Sequence, residues 1–399
     1  MREGWRLVSL GDVADTRLGK TLPRGSGADV AGLPYLRNVN VQWNRIDVNR
    51  LNRMPFSARE QEELSLRKGD LLICEGGEVG RLTILGEDLE GIFFQNALHR
   101  VRVLKDDVMP EFVALALEHF VRSGGLEGLV TQVTIAHLNQ AKLRALPLRL
   151  PPPAEQRRIV DLVCALDDTI AVGRTSYSAA AEARLALCRA AQSTAAPTRI
   201  GEIADVSQGK SFPKASQGVT TGDTPWFKIA DMAQEHNVHG YVRAETALAA
   251  SEIVQLGGVI LQPGAVVFPR VGAAVLTEKK RLVLVPGAVD ENHLVLTPLE
   301  GTGSELLLAV MDNLRLSGLV QSGAVPSLNM GLVRATAVQW PTELAAELDS
   351  ALGDFRRSLE AGATLLQKLR LLRSHLVASL LSGEHVIPDS YDELMGAAS

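Results

Sequence analysis

The sequence predicts an α+β protein: two copies of a mixed α/β domain separated by two long antiparallel coiled-coil helices. Three observations carry this reading. The stretch LGDVADTRLGKTLP at 10–23 returns at 200–213 as IGEIADVSQGKSFP, an offset of 190. The same offset is regained where GLVTQVTIAHLN (128–139) lies over GLVQSGAVPSLN (318–329). After each copy a proline step leads into a stretch whose apolar residues advance in steps of three and four, the seam of a coiled coil. A shared offset that survives so long an interval marks a duplication, and its period is far too long for a solenoid.

Taken in order, the first shared element is a turn. Gly19-Lys20-Thr21 and Gly209-Lys210-Ser211 invite a reading as phosphate-binding loops. Such a loop needs a glycine five positions before the glycine of the Gly-Lys pair, because the amides between them fold around phosphate. Those positions hold Ala14 and Ala204, and the nearer glycines, Gly11 and Gly201, lie eight back. That reading, a tandem nucleotide hydrolase, would need phosphate loops that this spacing denies. LPYLRNVN (33–40) lies over TPWFKIAD (224–231), pairing Tyr35 with Trp226 and Arg37 with Lys228, and LRKGDLLI (66–73) lies over LQPGAVVF (261–268). GDLLICEGGEVGRLTIL (69–85) reads as strand, glycine-rich turn, strand, and FFQNALHRVRVL (93–104) as a further strand. MPEFVALALEHFVRSGG (109–125) reads as a helix stopped by Gly124 and Gly125. In the second copy GAVVFPRVGAAVL (264–276) and ENHLVLTPL (291–299) read as strands, and SELLLAVMDNLRLSG (304–318) as the helix.

The connectors open with PLRLPPPAEQRRIV (147–160) and VQWPTELAAELDSAL (338–352). The first seam reads Ile159, Val163, Leu166, Ile170, Gly173, Tyr177, Ala180, Arg184, Leu187. The second reads Leu348, Leu352, Phe355, Leu359, Gly362, Leu366, Leu369, Arg373, Leu376, Leu380. Gly173 matches Gly362, and Arg184 matches Arg373. Forty residues of helix extend about 60 Å. The expected division is 1–150, a first domain; 151–196, its helix; 197–340, a second domain; 341–385, its helix; and 386–399, a tail.

The 399 residues are 46% apolar, enough for proper cores, with no apolar run of membrane-spanning length. The start, MREGWRLVSLGDVAD, has no signal-peptide pattern. Three scattered cysteines, Cys74, Cys164 and Cys188, support neither a disulfide framework nor a zinc ribbon. A cytoplasmic protein is expected. The net charge of −5 is uneven: residues 1–150 carry +1 and residues 341–399 carry −4. Net charge thus leaves room for a nucleic-acid face on the first domain without announcing one. No Asp/Asn-Pro-Pro-aromatic, H-E-x-x-H or G-x-S-x-G run is present, so no enzyme signature is met.

LNQAKLRALPLRLPPPAEQRRIV (138–160), the second Leu-Asn and proline step over 328–341, and LLRSHLVASLLSGEH (371–385) complete a pattern of domain, helix, domain, helix. In this the chain resembles the specificity subunit of type I restriction-modification systems. The second proline step departs from the first, with Thr342-Glu343-Leu344 in place of Ala154-Glu155-Gln156. The resemblance implies a non-catalytic subunit. Each domain would be a target-recognition domain reading one half of a bipartite double-stranded DNA sequence, and the helices would fix the unread spacer. Two modification (methyltransferase) subunits would dock on the helices, and restriction subunits would join. No cofactor would bind this chain: S-adenosylmethionine belongs to the modification subunit, ATP and magnesium to the restriction subunit. The alternative is a protein–protein scaffold of a related defence system that has lost DNA reading.

Candidate DNA contacts follow from side-chain chemistry. Lys20 and Lys210 follow a turn glycine, with Arg24 and Lys214 close behind, and such a turn can offer an amide and an ammonium to phosphate. A solvated hairpin would look the same. Arg37 and Lys228 keep their charge in both copies, and arginine reads guanine in the major groove. Asn38, Asn40, Gln42 and Trp43 form a polar-aromatic patch, and asparagine reads adenine. Arg81 in the glycine-rich turn and Arg270 complete the set. Gln95, Asn96 and His99, with Asn292 and His293 in the second copy, read equally well as strand-end braces. His137, Ser327 and Asn329 are expected to cap or brace the helix that follows, and no histidine is expected to bind metal.

Overall fold

A computed structural model describes residues 2–22, 32–127, 137–321, 323 and 325–397, with side chains described to residue 393. The chain divides into two compact units, Met1–Ile170 with Leu369–Ser399, and Ala171–Lys368. Each unit holds one copy of the duplicated domain and a part of both long helices.

The first copy runs β1 (Arg6–Ser9), α1 (Leu10–Val13), β2 (Ala14–Leu18), β3 (Leu33–Leu36), β4 (Val41–Gln42), β5 (Arg45–Ile46), β6 (Asn52–Met54), α2 (Ala58–Glu63), β7 (Leu71–Cys74), β8 (Leu82–Ile84), β9 (Phe93–Phe94), β10 (Leu98–Val103), α3 (Pro110–Arg122), α4 (Gln140–Arg144) and β11 (Pro147–Leu150). The first long helix, α5 (Pro153–Gln192), follows. The second copy runs β12 (Ala196–Arg199), α6 (Ile200–Ile203), β13 (Ala204–Gln208), β14 (Thr224–Phe227), β15 (Ala247–Leu248), α7 (Ala250–Gln255), β16 (Val266–Pro269), β17 (Arg281–Leu282), β18 (Ala288–Val289), β19 (His293–Pro298), α8 (Ser304–Asn313), α9 (Met330–Ala335) and β20 (Ala337–Trp340). The second long helix, α10 (Ala345–Ser382), and a short α11 (Ser390–Ala397) end the chain.

The sheets repeat strand for strand. A four-stranded antiparallel sheet has the order β2-β10-β7-β8 in one copy and β13-β19-β16-β17 in the other. A three-stranded sheet has the order β6-β3-β9 and then β15-β14-β18, with the β3–β9 and β14–β18 pairs parallel. The first and last strands of each copy also pair, β1 with β11 and β12 with β20, which closes each domain before its long helix begins. Among the described strands the β4–β5 hairpin, turned by Asn44 at φ 54°, has no counterpart, and Glu235–Asn237 form a short 3-10 helix in that region of the second copy.

The sequence patterns explain the elements. Every residue of Leu71–Cys74 and Val266–Pro269 is buried, the signature of a central strand. Pro110 stands in the first turn of α3, where no amide is needed, and Gly124 (φ 82°) lies just beyond its end. Asn139 and Asn329 accept from the first free amides of α4 and α9, so the repeated Leu-Asn is a helix cap. The second-copy stretch 264–276 is strand only to Pro269. A positive φ at Gly272 breaks it, and Ala273–Thr277 wind into a 3-10 helix.

The first copy has two cores and the second has three, the additional one formed around Trp226, Phe212 and Ile253. In the first unit α3 packs with Leu10, Ile73 and Val101, and the same cluster takes in Ile159 and Val163 of α5 and Val377 and Leu380 of α10. A second cluster, around Phe94, Leu36 and Met54, fills the space under the three-stranded sheet. The second unit repeats the plan, with α8, Leu348 and Leu352 in one cluster and Phe227, Tyr241 and Val267 in another.

Within each unit the long helices run antiparallel. In the first, Arg373 of α10 binds Asp167 of α5 and also reaches Glu118 of α3 at 3.3 Å. In the second, a Cβ at Gly173 would stand 3.0 Å from Leu366, and one at Gly362 would stand 3.5 Å from Tyr177. The paired seam glycines thus mark close helix approach. The paired seam arginines are the other shared exception to an apolar seam, each tied to its own domain: Arg373 to Glu118, and Arg184 to Asp312 of α8 at 3.1 Å.

Candidate nucleic-acid interface

The twice-used Gly-Lys turn has a steric cause. A Cβ at Gly19 would lie 2.3 Å from the carbonyl oxygen of Gln95, and one at Gly209 would lie 2.0 Å from that of Asp290. No side chain fits so close to backbone. The turn lets the chain leaving β2 or β13 cross hard against the end of β9 or β18. Its amides are taken. Gly19 donates to Leu98 (3.1 Å) and Lys20 to Phe94 (3.0 Å), while Gly209 donates to His293 (3.1 Å) and Lys210 to Val289 (3.1 Å). The turn therefore has no free amides for phosphate at Gly19, Lys20, Gly209 or Lys210, and only the lysine side chains remain to be considered.

Those side chains differ. Lys20 Nζ donates to Glu60 Oε2 at 2.6 Å and lies 5.3 Å from the centre of the Phe56 ring. Glu60 also serves a capping box with Ser57 at the start of α2. The Lys20 bond, then the Ser57 amide, hold the Glu60 carboxyl down at about 2. In the second copy Ala249 stands at the corresponding cap and offers no side-chain bond. Lys210 and Lys214 are exposed and have no ion-pair partner among the described residues. Arg24 lies outside the described residues.

Three first-copy candidates, Asn38, Trp43 and Arg81, meet around the 75–81 turn. Arg81 donates to the Asn38 carbonyl (2.8 Å) and to Glu78 (3.0 Å), and Asn38 donates to the Gly76 carbonyl (3.1 Å). Trp43 donates to Glu78 (2.6 Å), and the Arg122 guanidinium lies 4.2 Å over its ring. Asn40 is buried. Its oxygen accepts the Arg37 amide (2.9 Å) and its nitrogen donates to the Asp47 carbonyl (3.0 Å), so it builds the loop. Arg37 has no ion-pair partner among the described residues, and its Nε is buried without an acceptor. Arg45, exposed beside the hairpin tip, adds a cation absent from the sequence reading. His137 is exposed, 3.6 Å from where a Gly76 Cβ would stand.

Lys210, Lys228 and Arg270 of the second copy gather around residues 289–293. The backbones of Lys210 and Asp290 pair in an isolated parallel β-bridge, Asp290 donates its amide to the Phe227 carbonyl just before Lys228, and Arg270 Nε donates to the Glu291 carbonyl (3.0 Å). Lys228 pairs with exposed Glu245 at 2.9 Å. Behind them lies a buried relay. His293 Nδ1 meets Asp290 Oδ1 at 2.8 Å, and its Nε2 meets the Tyr241 hydroxyl at 2.8 Å. Burial pushes the Asp290 carboxyl up, but the His293 bond, its charge and the Asn292 bonds outweigh that and leave it below the usual range. Burial pushes Tyr241 well up. His293 thus braces the loop as a strand-end residue. His99, a strand-end brace in the first copy, meets the Leu138 carbonyl at 2.8 Å, and burial favours its neutral form. Sequence reasoning missed Tyr241, since nothing in the spacing of 241 and 293 signals contact.

The fold and its loops define a class: a duplicated domain in which one interior frame carries two different polar rims. Residues 2–178 match the family of the type I restriction modification DNA specificity domain. A putative type I restriction enzyme specificity subunit of Haemophilus influenzae is 27% identical over 158 residues, 40% of this chain and 39% of that protein. The putative MjaX specificity subunit of Methanocaldococcus jannaschii is 25% identical over 174 residues, 42% of this chain and 40% of that protein. The matched stretch therefore spans about two fifths of these curated relatives. Among solved structures, the type I restriction-modification S subunit from M. genitalium superposes with a TM-score of 0.60 at 15% identity, covering 94% of this chain and 96% of that one. A chain from a study of type I assembly and conformational transition gives 0.57 at 16% identity, covering 96% and 98%. The chain is thus similar to the type I specificity domain over residues 2–178 and shares the fold of these S subunits over nearly its whole length.

Proposed function

We propose that the chain is the DNA-recognition subunit of a type I restriction-modification complex, each domain copy reading one half of a bipartite target. One observation carries this. The two copies share sheet order, the Leu-Asn helix cap and the turn glycine, yet differ at the rim. The β4–β5 hairpin belongs to the first copy alone, and Leu138 donates its amide to Glu75 where Leu328 donates to Arg270. Equal frames with unequal rims suit two different half-sites, whereas a scaffold that no longer reads DNA needs no such divergence. Lys210 and Lys214 in the second copy and Arg37 in the first would meet phosphate or bases directly, with Asn38 next to Arg37 in the chain and Arg45 exposed in the same copy.

Recognition would be this chain's whole part. Methyl transfer with S-adenosylmethionine would belong to two docked modification subunits, and ATP- and magnesium-dependent work to the restriction subunits. Leu365, Leu371 and Leu372 of α10 are each more than half exposed, apolar surface suited to docked subunits. The helices would set the spacer between half-sites. A heptad keeps the seam in register and adds about 10 Å, close to three base pairs at about 3.4 Å each. Seven-residue insertions at facing points, after Gly173 and before Leu366, should lengthen the recognised spacer by roughly two to three base pairs and leave both half-sites alone. Sequencing the adenines methylated by the altered subunit with its modification partner reads the result directly. An unchanged spacer with efficient methylation would remove the measuring role, and changed half-sites would move the helices into the reading machinery.

A further inference from the structure

Away from those rims, a cavity of about 110 Å³ opens in the second unit where α5, α8, β17, α10 and the segment at Val238–His239 meet. That is room for three or four waters at roughly 30 Å³ each, or for one tetrahedral oxyanion. Its walls carry Arg184, Lys280, Arg281 and Arg356 against a single carboxylate, Asp312.

Two of these cations are without a buried unpaired donor among the described residues. Lys280 Nζ donates to the Leu314 carbonyl (2.8 Å) beside Glu278, and Arg356 binds Glu305 (2.5 Å) and Glu360 (3.2 Å). The other two are not. Arg184 gives Asp312 only Nη1, at 3.1 Å, and its Nε and Nη2 are buried without acceptors. Arg281 gives its terminal nitrogens to the carbonyls of Lys280 (2.8 Å) and Met232 (2.9 Å), and its Nε is buried without an acceptor. Buried donors in folded proteins are almost always paired, and guanidinium donors pair best with planar or tetrahedral oxyanions. His239 on the same wall feels the field. Burial lowers its pKa first; Glu360 opposes, and Arg281, Arg356 and Arg184 lower it further.

We propose that this cavity binds a phosphate-sized oxyanion, taken by the free donors of Arg184 and Arg281 within the charge supplied by Lys280 and Arg356. Such an ion would fasten both long helices to α8 and the sheet of the second domain. Its lining residues are none of those proposed to meet DNA, so the site is separate from DNA reading and stands whether or not that reading holds.

The test uses the full chain, titrated with inorganic phosphate by calorimetry and followed in thermal melts at constant ionic strength set with chloride. Saturable binding is expected, with a melting shift on the order of 5 °C at a hundredfold excess over Kd. Arg184→Gln should weaken binding at least tenfold, while Arg174→Gln, an exposed cation on the same helix, should not. Val238→Trp, at a rim position 46% exposed, blocks the cavity without touching a cation and serves if Arg184→Gln fails to fold. ADP competing with phosphate for the Arg184-dependent site would name a nucleotide terminus as the source of the oxyanion; lack of competition would name the free ion. Absence of binding, equal stabilisation by chloride, or binding that persists in both variants would overturn the proposal.

Discussion

The two domain copies differ most where they are most alike in sequence. Gly19-Lys20 and Gly209-Lys210 occupy the same turn, make equivalent backbone bonds and face the same steric limit. Yet Lys20 is held by Glu60 over Phe56, and Lys210 is exposed without such a partner. The glycine is fixed by the frame and the lysine is not. A repeated motif can therefore be structural in one residue and free to diverge in the next. The paired loops behave alike. Asn40 and Asp231 both accept the amide three residues back, but Asn40 also donates onward to the Asp47 carbonyl. In the second copy Asn237 takes over that work, donating to the Asp231 and Arg243 carbonyls.

The comparison can be broken most sharply at the glycines. Gly19→Val and Gly209→Val should each cost about 3 kcal/mol or more, since the obstructing atoms are backbone and cannot step aside. Melts that show one tolerated and the other not would end the claim that the frame demands both. Next come the lysines. Lys210→Ala should weaken binding to all duplexes alike and reduce the slope of log affinity on log salt by about 1. Lys20→Ala should leave that slope unchanged and cost less than about 1 kcal/mol of stability, as expected for a partly exposed pair. An equal loss of slope in both would show that Lys20 leaves Glu60 when DNA arrives.

The smallest effect is in acid. Glu60 is held at about 2, below its ordinary 4.5. A depressed carboxyl stabilises the fold above its unfolded value and loses that contribution as pH falls through its folded one. The Lys20–Glu60 contribution should therefore be whole above about pH 5 and drain away toward pH 2. Lys20→Met should flatten the acid limb of stability against pH in that window, and Lys210→Met should not. Matching limbs for the two variants would remove the distinction between the copies.

The sequence by itself determined a good deal. Offset identity forces two copies of one frame, because a core and its turns cannot drift independently of each other. The three-four spacing from Ile159 and from Leu348 forces two long helices with one apolar seam each, and Ile159, Val163, Leu352 and Leu380 are buried on it. Paired glycines and arginines on those seams were legible as positions but not as roles. The candidate rim was legible only as chemistry. Arg37, Asn38, Trp43 and Arg81 were marked by type, and the fold brings the last three to one turn. What the tertiary structure decided is which polar groups are already engaged. Glu60 is forty residues from Lys20, Tyr241 is fifty-two from His293 and Asp312 is 128 from Arg184, and each pair closes to about 3 Å. Hydrogen bonds and ion pairs act only at such range, so whether a cation is free for DNA, or buried with its donors unmet, depends on contacts that residue type and spacing do not encode.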